Sequence, residues 1–195
     1  MTDLEKRYWV SFSAFNKIGP KKFQTILKYF GSAEKAWKGD LAEIGFKEEF
    51  VKDFNNFRET FDFSSYYLRL EKLEINSITL EDINYPKSLK ETDSPPFLLY
   101  LLGEILPNDE LAIGIVGTRK ITSYGQQVTQ SLTADLVVNG LTIVSGLAYG
   151  VDYLAHQTAL EMKGRTIGVW AGGLDTVRDG FRQKLIETII KNKQG

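Results

Sequence analysis

Apolar residues recur at helical spacing through the first part of the chain. Trp9, Phe12, Ser13 and Asn16 follow one such period, and Ile18-Gly19-Pro20 stops it. Pro20 suits the first turn of a new helix, where its missing N–H costs nothing. That helix reads KKFQTILKYF, with Phe23, Ile26, Leu27 and Phe30 on one side. Gly31 is placed to end it, and Ser32 to cap the next stretch, SAEKAW. Two further helices are predicted over 47–60 and 62–74. Beyond residue 110 the pattern changes. LAIGIVG (111–117), LTIVSG (141–146) and TIGVWAGG (166–173) are short, continuously apolar runs, as expected for buried strands of a parallel sheet. Between them lie two amphipathic stretches. Val128, Leu132, Leu136 and Val137 mark the first, which stops at Gly140; Val151, Leu154, Ala155, Thr158 and Ala159 mark the second, which stops at Gly164. The predicted unit is βαβαβ, an open α/β sheet with right-handed crossovers.

TDSPP (92–96) and LPNDE (106–110) set prolines among turn residues and separate the two patterns. The organisation predicted is a helical domain over 1–75, a connecting segment over 76–110 and a sheet domain over 111–195. Ile18-Gly19-Pro20-Lys21 between two helices looks like the hairpin of a helix-hairpin-helix module. Two roles stay open for it, a plain αα-corner or a contact to DNA phosphate. Lys17, Lys21, Lys22 and Lys28 cluster there without an acid among them, as a phosphate contact or a solvated face would allow.

Composition narrows the chemistry. The 195 residues are 43% hydrophobic and 25% charged, ordinary for a globular protein. There is no cysteine, which removes a thiol nucleophile, Cys-ligated zinc and Fe–S clusters. One histidine, His156, leaves no His pair for a metal. No cofactor is expected. The N-terminus lacks the apolar core of a signal peptide, and no run approaches a membrane span, so a cytoplasmic location without membrane contact is expected. The formal net charge is −1; residues 1–103 carry 15 Lys/Arg against 16 Asp/Glu, and residues 104–195 carry 9 against 9. Any nucleic-acid binding must therefore rest on a local basic pocket.

The ends of the three predicted strands supply that pocket. In open α/β sheets ligands bind at the carboxyl ends of the strands. Here those ends read Gly117-Thr118-Arg119-Lys120, Ser145-Gly146-Leu147-Ala148-Tyr149-Gly150 and Gly172-Gly173. Glycine lets backbone approach a ligand, and a following helix start offers free N–H groups. Arg119 and Lys120 add charge, with a guanidinium fork suited to phosphate. Thr118, Thr122, Ser123 and Ser145 add hydroxyls. A dinucleotide site is the rival, but GxGxxG is absent and the second strand ends in Ser145-Gly146, with no acid to hold a ribose. Asp152 and His156 share a helix face. They read either as a carboxylate-oriented base or as a helix-start acid beside a packed imidazole, and no triad is completed. Glu161, Asp175 and Asp179 read as solvated or capping groups.

GIVGTRKITSYG (114–125), SGLAYGVDYLAHQTAL (145–160) and TIGVWAGGLD (166–175) resemble the Rossmann-like domain of the DNA-processing protein A family (DprA, also called Smf). EDINYPKSLKETDSPPFLLYLLG (81–103) resembles the segment leading into it, and the N-terminal helices resemble that family's SAM-like or helix-hairpin-helix domain. The resemblance covers almost the whole chain and implies an α/β fold, a Rossmann-like open parallel sheet preceded by a small all-α domain. It implies a non-enzymatic role, single-stranded DNA binding in natural transformation and recombination, protecting incoming strands and helping to load the RecA recombinase. Carried onto this sequence, Gly117, Thr118 and Arg119, with Ser145 and Gly146, would line the DNA-phosphate pocket, and Lys120 would add charge at its rim. Asp152 and His156 fall in the family's Gly-[Ile/Val]-Asp-x-x-Ala-His pattern and are read as structural.

The sequence ends at Asn192-Lys193-Gln194-Gly195, directly after the helical stretch QKLIETIIKNK. The family's domain continues with a further glycine/serine loop, a basic segment and more strands, so a C-terminally truncated domain is expected. Those elements contribute to dimerisation, and a homodimer is the assembly the resemblance implies. The alternative function is an enzyme acting on a small phosphorylated nucleotide through the same glycine loops.

Overall fold

The computed structural model describes residues 1–176 and 182–191; Asp179 and the tail from Asn192 fall outside these. The chain forms two compact units, Met1–Leu101 and Leu102–Gly195.

Helices dominate the first unit where the periodicity predicts them. They are α1 (Asp3–Ala14), α2 (Pro20–Phe30), α3 (Ala33–Lys38), α4 (Glu48–Thr60) and α5 (Phe63–Lys72), with a 3₁₀ turn at Leu41–Ile44. Gly31 ends α2, and the Ser32 hydroxyl caps α3 by accepting from Lys35 N at 3.1 Å. Glu5 caps the same helix from a distance, its carboxylate accepting from the N–H groups of Ala33 (2.5 Å) and Glu34 (3.1 Å). The core is aromatic. Phe12 stacks on Phe54 at 5.4 Å, and Trp37 meets both rings edge-on. After α5 come β1 (Ile75–Thr79), the short helix α6 (Lys87–Lys90) and β2 (Leu98–Leu102); the two strands pair as a small sheet. Phe97 stacks on Phe23 of α2 at 4.0 Å, tying the strand to the helices.

The lysine cluster of this unit is not free of acid in space. Lys17 pairs with Asp53 of α4 at 2.5 Å. Lys22 donates to the Lys17 carbonyl at 2.9 Å and lies over the Phe50 ring at 4.4 Å. Two of the four ammonium groups are therefore already engaged within the helical unit.

The second unit carries the parallel sheet. Its strands are β3 (Ala112–Gly114), β4 (Thr142–Ser145) and β5 (Thr166–Gly168), in the order β3-β4-β5. Both pairings are parallel, with Ile113 opposite Ile143 and Ile143 opposite Thr166. The connections run through α7 (Ser123–Val138) and α8 (Val151–Glu161), and α9 (Gln183–Lys191) follows β5. Two crossovers stepping the same way with one hand leave their helices on one face of the sheet. Accordingly α7 packs along α8, and Ile143 of β4 is fully buried against Ala155 and Ala159 of α8. The apolar runs are longer than the strands they form. LAIGIVG is strand only over 112–114, and TIGVWAGG only over 166–168. At the opposite end of the sheet, buried Asp109 forms an ion pair with Arg165 and accepts from Thr142 Oγ1 (2.9 Å) and Leu106 N (2.7 Å). Among the described residues no helix is long and apolar enough to cross a membrane.

Candidate functional site

The first two glycine loops meet at the carboxyl edge of the sheet. Ser145, at the end of β4, donates from Oγ to the Ile115 carbonyl at 2.6 Å, joining the strand ends. Val151, the first residue of α8, donates its N–H to the Thr118 carbonyl at 3.2 Å. The approach is close enough to need glycine. A Cβ on Gly150 would stand 2.2 Å from Thr118 O and 2.8 Å from Arg119 O, and Gly150 has φ 82°, a conformation open to glycine. A Cβ on Gly117 would stand 2.7 Å from the Val151 side chain. The third loop joins through Val169 N, which donates to Ser145 O at 2.8 Å, and through Leu147, packed against Gly168.

The edge thus assembled presents backbone donors. Gly117, Thr118, Arg119 and Lys120 are all exposed. Among the described residues, the N–H groups of Val116, Gly117, Thr118 and Arg119 donate to no protein acceptor, nor do those of Gly146, Leu147 and Ala148. The side chains of Arg119 and Lys120 have no ion-pair partner among the described residues. Leu147 holds φ 56°, a left-handed conformation that costs a non-glycine residue about 1–2 kcal/mol. Such strain persists where the surroundings fix it, and functional sites concentrate it. Here Leu147 is buried beside Leu185, Ile186 and Ile189 of α9, and its carbonyl accepts from Arg182 at 3.1 Å.

Not every predicted contributor faces this edge. Ser145 is 2% exposed and its one hydroxyl proton goes to Ile115 O, so it braces the loops instead of offering a donor. Thr118 Oγ1 accepts from Lys120 N at 3.1 Å, shaping a tight turn that sets Arg119 at its tip. Gly146 offers its backbone alone, and a Cβ there would stand 2.8 Å from Asp152 Oδ2 in the first turn of α8. Gly172 and Gly173 lie beyond the end of β5 at Gly168, not at the strand end. The two helix starts are also partly used: Thr122 Oγ1 accepts from Gly125 N on α7, and Val151 N on α8 holds the first loop. The unused N–H groups therefore lie in the loops before the helices. The sequence reading missed Gly150 and Val151 as the residues that fix the Arg119 loop; a glycine immediately before a predicted helix start was the available signal.

Asp152 and His156 are both buried, His156 completely. His156 Nδ1 lies 2.7 Å from Thr166 Oγ1, and that hydroxyl donates to Ile143 O at 2.9 Å. A hydroxyl has one proton, so Nδ1 must carry its own and donate. The imidazole thereby ties α8 to β4 and β5. Burial pushes its pKa down to about 4, against the opposing pull of Asp152 and the Ser145 backbone.

A parallel α/β sheet whose carboxyl edge gathers unpaired N–H groups, an arginine and a lysine defines a Rossmann-like protein with a candidate anion site at that edge. The sequence model of the family described as DNA recombination-mediator protein A matches residues 76–195, and the chain belongs to that family, DprA/Smf. Protein Smf of Synechocystis sp. is 33% identical over 197 residues, covering 97% of this chain and 50% of that protein. DNA processing protein DprA of Bacillus subtilis is 44% identical over 119 residues, covering 60% of this chain and 40% of that protein. The X-ray structure of DNA processing protein A from Streptococcus pneumoniae superposes with a TM-score of 0.74 at 26% identity, covering 94% of this chain and 64% of that one. The chain spans about half the length, or less, of these curated relatives.

Proposed function

We propose that the chain binds single-stranded DNA through the carboxyl edge of its sheet. In that role it would act in natural transformation and DNA recombination in the cytoplasm, sheltering incoming strands and helping to load the RecA recombinase, without catalysis of its own. The observation that carries the reading is the exposed loop 116–120, in which the N–H groups of residues 116–119 donate to no protein acceptor among the described residues, with Arg119 at its tip and Lys120 beside it. Such donors hold phosphate through charge-assisted bonds, and phosphate contacts are indifferent to sequence. Family membership supports the link to recombination.

Fluorescence anisotropy with a labelled oligonucleotide across a salt series tests it. Arg119→Ala should weaken binding about tenfold for every sequence and reduce the slope of log K against log salt by about one. Equal affinity and slope in the variant would remove Arg119 from the interface. Release of free base from nucleoside monophosphates would instead favour an enzyme using the same loops.

A further inference from the structure

We propose that Asp152 is a charge filter for the phosphate edge: its carboxylate, set against the second loop, makes that loop accept the single charge of a phosphodiester and reject the double charge of a phosphate monoester. The proposal rests on the phosphate-binding reading of this edge and names the class of phosphate it takes.

An acid in the first turn of α8 has an ordinary role, since negative charge favours a helix N-terminus. The setting of Asp152 goes beyond that role. It is 7% exposed, and among the described residues no hydrogen bond or ion pair engages its carboxylate. Buried carboxylates are ordinarily paired or hydrogen-bonded. Its charge is felt inside the helix, where it works against the burial that lowers the His156 pKa. Its place beside the second loop is fixed by contact: a Cβ on Gly146 would stand 2.8 Å from Asp152 Oδ2. A Cβ lies about 2.5 Å from its own amide nitrogen, so Oδ2 is at most about 5.3 Å from Gly146 N. An oxygen accepting from that N–H at about 2.9 Å is then no more than about 8 Å from the carboxylate, within a Debye length at physiological salt. The N–H groups of Gly146, Leu147 and Ala148 donate to no protein acceptor among the described residues, so an anion held there sits in the field of Asp152.

The two loops therefore differ in sign. The first carries Arg119 and Lys120 with no acid in its sequence, and the second offers N–H groups beside a carboxylate. A phosphodiester brings one negative charge and no proton. A monoester above its second pKa brings two charges, and its repulsion from Asp152 doubles. Once the monoester takes up a proton, near pH 6, it carries one charge and an O–H that the unpartnered carboxylate can accept. The edge thus favours phosphates inside a strand over free nucleotides and phosphorylated ends. Other titratable side chains on the elements packed against α8 are Tyr124 and Asp135 on α7 and Lys184, Glu187 and Lys191 on α9, whereas β4 and β5 carry none. These meet every ligand alike, so they cancel when two ligands are compared on one protein.

Titrations of the full chain, followed by the amide NMR signals of Gly146 and Ala148, detect weak ligands and locate them. The small probes are thymidine 5′-monophosphate and its methyl ester, which differ by one charge, and oligo(dT) is the strand. At about pH 8 the methyl ester should bind about threefold or more tighter than the monophosphate. As pH falls to about 5.5 the monophosphate should gain until the two match, while the methyl ester holds steady. This series needs no variant. Asp152→Asn, melting as the parent does, should bind the monophosphate about tenfold and the methyl ester about threefold tighter at about pH 8, so that the ester loses its advantage. A monophosphate that matches its ester in the parent at that pH, or a variant with an unchanged ratio, would overturn the filter and leave the phosphate reading standing. Binding of oligo(dT) while neither small probe moves the Gly146 signal would do the same. Failure of oligo(dT) to bind at all would overturn both.

Discussion

His156 shows how much of a residue's role depends on neighbours the sequence does not display. Four positions after Asp152 on a helix, it has the spacing of an oriented base. In the fold it is sealed between α8 and the sheet, with Nδ1 donating to Thr166 Oγ1 and no partner for Nε2. Arg119 and Lys120 are legible as candidate site residues because they directly follow a predicted strand-end glycine, and the structure leaves both exposed. Ser145 was legible as a hydroxyl at the same edge, but not as one whose proton is taken by Ile115 O. Because the chain has a single histidine, its titration can be followed by NMR without assignment. The imidazole signals should titrate near pH 4, with Nδ1 protonated at neutral pH. A midpoint near 6.5, the value of a solvated imidazole, would show that the ring is not enclosed as described.

Among the elements, the βαβαβ order was readable because three apolar runs alternate with two helical periods, and a glycine follows each period. Strand lengths were not readable. Parallel strands end where their partners do, and β3 with β4 and β4 with β5 each pair over only three residues. The apolar residues beyond become loop: Ile115 continues the ladder by one bond to Val144 O, whereas Val116 is 77% exposed. The β1–β2 pair escaped notice for a related reason. INSIT and LLYLL are too short to show a period, and their pairing is set by contacts far apart in sequence. The loop-to-loop contact at Gly150 is where element geometry bears on function. Gly150→Ala would drive a Cβ into the Thr118 carbonyl and force an alanine to φ 82°. The Arg119 turn should shift, and oligonucleotide affinity should fall about tenfold although position 150 offers no charge. In a double-mutant cycle Gly150→Ala should add little to Arg119→Ala, since both remove the same contact. Additive losses would mean that Gly150 does not act through the loop.

For the molecule as a whole, two units with separate cores invite an acid test that only one of them should fail. The histidine lies in the second unit, Leu102–Gly195. Its pKa is about 4 in the fold and about 6.5 when unfolded, so above pH 6.5 neither state holds the proton. Below that the unfolded chain protonates first, and the second unit loses stability as pH falls from about 6.5 to about 4. By pH 5 the loss should be about 2 kcal/mol. The carboxylates behave differently. Burial pushes Asp109 up, but the bonds from Arg165, Leu106 N and Thr142 outweigh it, and its pKa ends below the usual carboxylate value. Asp82 in the first unit is likewise held low, the bonds from Thr79 and Lys6 overcoming burial. Their stabilisation is present above about pH 3.9 and is lost only as pH falls further. Between pH 7 and 5, then, the first unit should hold its stability while the second weakens. Tryptophan fluorescence can tell them apart, since Trp9 and Trp37 are buried in the helical core and Trp170 packs under Arg182 at 4.6 Å in the sheet unit. Urea melts of a Trp170→Phe variant should report the helical unit alone and superpose at pH 7 and pH 5. Melts of a Trp9→Phe, Trp37→Phe variant should report the sheet unit and move to lower urea at pH 5. If both variants moved together, the two units would unfold as one and the acid loss would be shared across the chain.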